Sequence, residues 1–282
     1  MAAVRKEGAA NMKRAVRALL VLLFAAVFLF SGWKLMGILN GYREGQVSYE
    51  ALEQHVSMEE PPKETVVPQP ERFEVEVEEE EELPEPDTTQ WPQIDFPALA
   101  QINPDIVGWI YIEGTDINYP VVQGTDNEYY LNHLFDGSEN RSGCIFLDHR
   151  CSSDFSHGHS IIYGHHMKDQ KMFSGLMDYK EQTFYDAHPT VLLLTPTENY
   201  RIQLFSGYVA DNWSNAWELD LDDTNMAQWL QELQGRSCFT PTDIPEPTAQ
   251  IVTLSTCTYE FQDAKFLVHG YIVASVPVSK NN

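Results

Sequence analysis

Two stretches of the chain carry side chains that could do covalent chemistry together. Ile251-Val-Thr-Leu-Ser-Thr-Cys257 is apolar and β-branched up to Leu254, then turns to small hydroxyls and ends in a thiol. It reads as a buried strand delivering Cys257 to a rim. Ser160-Ile-Ile-Tyr-Gly164-His165-His166 has the same form, an apolar run followed by glycine and then imidazole. A thiol and an imidazole at two strand ends can form a thiolate–imidazolium pair, which is the apparatus of nucleophilic catalysis. The alternative for Cys257 taken alone is a structural cysteine, because unpaired cysteine is among the most buried residue types and reactivity needs a partner.

The two motifs do not stand alone. Thr253-Leu-Ser-Thr-Cys257, Tyr163-Gly164-His165, Asn103-Pro-Asp-Ile-Val-Gly-Trp-Ile110 and Tyr119-Pro-Val-Val-Gln-Gly124 occur in one order, and together they resemble a class B sortase over about residues 102–274. The resemblance implies a cysteine transpeptidase in which Cys257 is the nucleophile and His165 the acid and base. His166 should face the other way if strand alternation continues past Gly164. The family carries an arginine soon after the cysteine, in a run like Asp-Ala-Arg-Phe, whereas this chain has Asp263-Ala264-Lys265-Phe266. Lys265 keeps the positive charge and loses the planar fork that donates two parallel hydrogen bonds. Substrate grip is expected from Ser255 and Thr256 beside the nucleophile, from a groove walled by residues 211–235, and from Asn132 in Tyr-Leu-Asn-His133.

Strand-like runs fall at 107–112, 117–122, 143–147, 160–163, 190–194, 201–210, 251–255 and 266–274. Eight strands with few intervening helices favour an antiparallel or mixed barrel over a doubly wound sheet. The resemblance makes this the closed eight-stranded sortase barrel, mostly β. Glu113-Gly-Thr115 reads as a tight turn. Ile94, Leu99 and Ile102 mark a short entry helix, broken by Pro97 and closed by Asn103-Pro104. Met226, Trp229, Leu230 and Leu233 repeat at i, i+3, i+4 and i+7, with Asp222, Asp223 and Thr224 as its N-terminal caps and Gly235 as its stop. The family places such a helix between strands six and seven.

The N-terminus sets Arg5, Lys6, Lys13, Arg14 and Arg17 ahead of an apolar run from Ala18. Sixteen residues to Trp33 would span roughly 24 Å as a helix, and continuing to Leu39 reaches the roughly 30 Å of a hydrocarbon core. No small-residue cleavage site follows Phe30, so the segment reads as an uncleaved anchor and not as a signal peptide. Its flanking charge predicts a cytoplasmic N-terminus. Residues 71–87 hold ten acids and one base, −9 of the chain's net −24. Like-charge repulsion and proline make the stretch an extended tether. The resulting division is a basic terminus at 1–17, a transmembrane anchor at 18–39, an acidic linker at 40–90 and a catalytic domain at 91–282. The residual −15 excludes nucleic acid as a partner, since phosphate binding needs clustered lysine and arginine.

His149, Cys151, His157, His159, His165 and His166 crowd together, but their spacing fits no common zinc pattern, and no metal is assigned. His133, His188 and His269 read as satisfied barrel or surface side chains. A disulfide among Cys144, Cys151 and Cys238 is open. What the resemblance implies is attack by Cys257 on the threonine carbonyl of a C-terminal sorting signal of the Asn-Pro-x-Thr kind. A thioester would follow, resolved by an amine of a peptidoglycan precursor or a pilin. No cofactor is required, with calcium tuning by acidic loops as an alternative. Partners are surface proteins bearing such signals, and the site of action is the outer face of a Gram-positive cell membrane. The rival readings are a Cys-His peptidase that delivers the acyl group to water and an inactive anchored binding module.

Overall fold

The computed structural model describes residues 2–58, 91–211, 213–221 and 223–278. A long helix α1 (Ala2–Leu52) is followed by a single helical turn, Glu53–His55, and a short strand β1 (Val56–Met58) that pairs antiparallel with β2 (Pro92–Ile94). The segment of α1 from Arg17 onward is long and apolar enough to cross a membrane. The acidic stretch 71–87 lies outside the described residues.

Residues 41–52 correct one expectation. Read as the start of an extended linker, they are the last turns of α1 and lie on the barrel. Tyr42 and Tyr49 pack against the main core and Leu52 is buried in a second cluster. At i, i+7 and i+10 these three share one helical face, and burying that face outweighs the acids around it.

After α2 (Phe96–Ile102), the barrel strands are β3 (Ile106–Tyr111), β4 (Asn118–Val122), β5 (Ile145–Leu147), β6 (His159–Tyr163), β7 (Thr190–Leu194), β8 (Glu198–Ala210), β9 (Ile251–Cys257) and β10 (Lys265–Pro277). They close in the order β10-β8-β7-β3-β4-β5-β6-β9. Neighbours run antiparallel except β4 with β5 and β6 with β9. Pro97 does not break α2. It sits in the first turn, where a missing N–H costs nothing, behind the Asp95 carboxylate that accepts from Ala98 N. The turn between β3 and β4 needs the left-handed backbone of Gly114, with φ +74°.

α3 (Gln182–Ala187) leads into β7, and α4 (Asp223–Arg236) lies between β8 and β9. α4 buries Met226, Trp229, Leu230 and Leu233 against Phe205 and Tyr208 of β8, the stripe its periodicity foretells. It runs one residue past Gly235, while Asp222 and the side chains of Asp223 and Thr224 lie outside the described residues.

Candidate active site

Strand direction assembles the site. Because β6 and β9 are parallel, with Tyr163 opposite Ser255, both chains leave the sheet at the same rim. Gly164 extends that ladder by donating its N–H to Ser255 O at 3.0 Å. A Cβ at Gly164 would come within 2.4 Å of Ile145 and 2.6 Å of Phe173, so only glycine lets the chain turn there toward His165. β10 returns antiparallel with Lys265 directly opposite Cys257. A cavity of about 270 Å³ is lined by His165, Cys257 and Lys265 together with Ser255, Thr256 and Leu131.

The Lys265 ammonium donates to Cys257 Sγ at 3.0 Å. His165 Nε2 lies 2.7 Å from Leu131 O. A carbonyl only accepts, so Nε2 carries the proton and Nδ1 is the ring nitrogen left for exchange. Among the described residues no hydrogen bond joins His165 to Cys257. His166 turns away from the cavity and binds Cys257 O through Nδ1 at 3.0 Å, its ring beside Tyr259. A thiol, an imidazole and an ammonium thus share one partly apolar cavity, a set suited to acyl transfer.

The Sortase domain family matches residues 110–278. The chain belongs to the sortase family. Similar proteins include sortase B of Listeria monocytogenes, 34% identical over 178 residues, which are 62% of this chain and 72% of that one. Sortase B of Staphylococcus aureus is 38% identical over 163 residues, 57% of this chain and 67% of its own. Among solved structures, a Staphylococcus aureus sortase B–substrate complex matches with a TM-score of 0.61 at 36% identity, covering 65% of this chain and 85% of that one. Sortase B from Bacillus anthracis in complex with AAEK1 matches with a TM-score of 0.65 at 30% identity, over 84% and 99%. Sortases are cysteine transpeptidases, and the closed barrel found here is that of the sortase B structures.

Not every residue expected in the sortase site is in it. Asn132 is exposed and is absent from the cavity lining; Asn127 and Leu131 of the same loop line it instead. The loop turns so that a backbone carbonyl, which residue identity does not advertise, faces the histidine. The described residues of 211–235 also lie outside the cavity's lining, but Trp217 stacks on the cavity residue Tyr163, with ring centroids 6.0 Å apart. Ser255 and Thr256 are both buried, and the Thr256 hydroxyl has no partner among the described residues.

Tyr163 leads to a group the sequence did not single out. Its hydroxyl donates to Asp148 Oδ2 at 2.9 Å, while Arg150 donates to both oxygens of the same carboxylate at 2.9 and 2.8 Å. Burial raises the Asp148 carboxyl, but the Arg150 and Tyr163 hydrogen bonds outweigh it and hold the group at about 2. This sortase therefore keeps a permanent anion behind one wall of its cavity.

The crowded histidines are dispersed. Among the described residues no three His, Cys, Asp or Glu side chains gather as a metal would need. His159 lies buried under the cysteine strand, donating through Nδ1 to Glu218 O at 2.6 Å. Its Nε2 must then accept from Thr253 Oγ1, at 2.7 Å, so that hydroxyl accepts in turn from His269 Nδ1, also at 2.7 Å. His269 Nε2 is left as a buried bare acceptor. Burial brings His159 down to about 4 and lowers His269 well below its usual value. All four cysteines are free, and burial pushes Cys144 up to about 12.

Proposed function

We propose that this sortase cleaves a C-terminal sorting signal after threonine and transfers the new carboxyl terminus to an amine. The observation that carries the reading is the 3.0 Å contact between Lys265 Nζ and Cys257 Sγ inside the cavity that also holds His165. The Cys257 thiol gives its proton to His165 Nδ1 as its sulfur adds to the threonine carbonyl carbon. The oxygen of the tetrahedral intermediate takes up the electron pair, and the Lys265 ammonium, the nearest cation, stabilises it. His165 gives a proton to the departing amide nitrogen as the C–N bond breaks, leaving a thioester. An incoming amine then attacks the thioester carbon and gives its proton to His165; the C–S bond breaks as the amide forms, and the departing sulfur takes that proton back as the thiol.

Lys265 stands where the family's arginine is expected, and it is a cation in hydrogen-bond contact with the sulfur. Ser255 and Thr256 line the cavity beside the nucleophile and hold the signal there. The acceptor is an amine of a peptidoglycan precursor or a pilin. Five basic residues ahead of the apolar segment of α1 support a cytoplasmic N-terminus, with residues 91–282 outside the cell membrane.

The experiment is cleavage of a panel of quenched sorting peptides with and without diamino-acid or oligoglycine amines. Turnover that rises with amine, with the amine found in the product, is the expected result. Cleavage indifferent to every amine, with water as the only acceptor, would replace transpeptidation by hydrolysis.

A further inference from the structure

The end of α1 reaches the active site through one turn of chain. Gly41, Gly45 and Tyr49 fall at i, i+4 and i+8, one face of the helix, and residues 140–143 sit on that face. Asn140 Nδ2 donates to Gly41 O at 2.9 Å. A Cβ at Gly45 would stand 2.7 Å from Ser142 Oγ, so glycine lets the turn approach the helix closely. The Tyr49 hydroxyl donates to Gly143 O. Burial pushes that hydroxyl well above its usual pKa, so it stays a donor throughout the working pH range.

The other side of the same turn faces the histidine. Gly143 has φ +59°, and a Cβ there would meet Tyr130 O at 2.6 Å, Leu131 O at 2.8 Å and His165 Cδ2 at 3.0 Å. The next residue ties the turn to the 129–131 segment, since Cys144 N donates to Tyr130 O at 2.8 Å. Leu131 O is the acceptor that holds His165 Nε2. The route from helix to imidazole therefore has three contacts: Tyr49 OH to Gly143 O, Gly143 against Leu131 O and the ring edge, and Leu131 O to Nε2.

We propose that Tyr49, on the membrane-proximal end of α1, is a positioning residue for His165, acting through the 140–143 turn and the Leu131 carbonyl. The helix that anchors the enzyme thereby fixes which imidazole nitrogen is tied down and where the ring stands. The inference rests on His165 being the proton carrier. Its structural part, that the Tyr49 hydroxyl sets the state of the ring, is separable from that role.

The test uses the full-length protein in detergent micelles. Tyr49→Phe keeps the ring that packs edge-on against Tyr119 at 5.4 Å and removes only the hydroxyl. Tyr42→Phe, on the same segment of helix, is the control. Long-range proton–nitrogen NMR of ¹⁵N-histidine protein reads the His165 ring, its signals assigned by their loss in His165→Gln. In Tyr49→Phe these signals should move toward exchange between two tautomers, kcat should fall about five-fold with KM within two-fold, and Tm should fall only by the roughly 2–4 °C that one net hydrogen bond is worth, while the control keeps the parent kcat. His165 signals unmoved in Tyr49→Phe would overturn the proposal, as would moved signals with unchanged kcat, or equal losses of Tm and kcat in both variants. If His165→Gln turns over like the parent, the catalytic reading fails and the ring signals alone decide the positioning claim.

Discussion

A lysine at position 265 gives the Cys257 sulfur a single rotatable ammonium where a guanidinium would give a rigid fork. The ammonium already contacts the sulfur at 3.0 Å, so the charge is in place and the second parallel donor is what is missing. Stabilisation realised in the transition state appears in kcat and kcat/KM together. Lys265→Ala should therefore lower both by on the order of 100-fold or more, the usual cost of losing one oxyanion donor. Lys265→Arg should hold or raise the rate, because a fork can bind sulfur and substrate oxygen at once. Steady-state kinetics of the two variants decides the point, and a parent-like rate for Lys265→Ala would leave a Cys257–His165 pair with backbone donors alone. Position 265 shows how far a sequence reading goes. Facing the thiol across an antiparallel pair follows from strand order, which the family resemblance supplies. The contact itself depends on a side-chain conformation that only the structure gives. Leu131 shows the opposite limit: its contribution is a carbonyl, so a search among side chains settles on Asn132 next door and misses it.

At the scale of elements, the barrel strands were legible because buried strands write themselves as β-branched apolar runs with glycine or polar ends. The strands around Cys257 and His165 are of that kind. The docked end of α1 was not legible, because the composition of residues 41–89 as a whole is that of a tether and masks three apolar contacts and two glycines on a 12-residue face. The His159–Thr253–His269 chain was hidden for a related reason. It joins β6, β9 and β10 across 94 and 16 residues, and no local pattern marks it. That chain couples the cysteine strand to pH. Both histidines are held neutral below the ordinary value near 6.5, His159 at about 4. Between those pH values the unfolded chain binds protons that the folded one does not. Stability is thus fully present above about pH 6.5 and is lost as pH falls toward 4, by up to about 1.4 kcal/mol per pH unit for each histidine. Calorimetry from pH 7.5 to 4.5 should show Tm declining through this window. His269→Leu, which leaves Thr253 still donating to His159, should shallow the slope. A flat Tm across the window would show that the pair titrates alike in both states. Asp148, held at about 2, contributes stability above about pH 4 that is lost only below it, so the two effects separate.

The whole molecule joins an apolar helix able to cross a membrane, a barrel fastened to the end of that helix, and a thiol on the barrel's rim. Fastening through Gly41, Gly45 and Tyr49 sets the cavity at a fixed place relative to that helix, which under the proposed function would suit a substrate and an amine that both arrive along a membrane surface. Every part of this arrangement serves one chemical claim, that Cys257 carries the substrate's acyl group. Mass spectrometry of the intact full-length enzyme mixed with a sorting peptide, with amine withheld, tests it most directly. The expected spectrum shows one added acyl mass on the Cys257-containing peptide, discharged by hydroxylamine and by added amine, and no addition to Cys257→Ala. An adduct that persists in Cys257→Ala, or peptide cleavage by that variant at the parent rate, would contradict the claim.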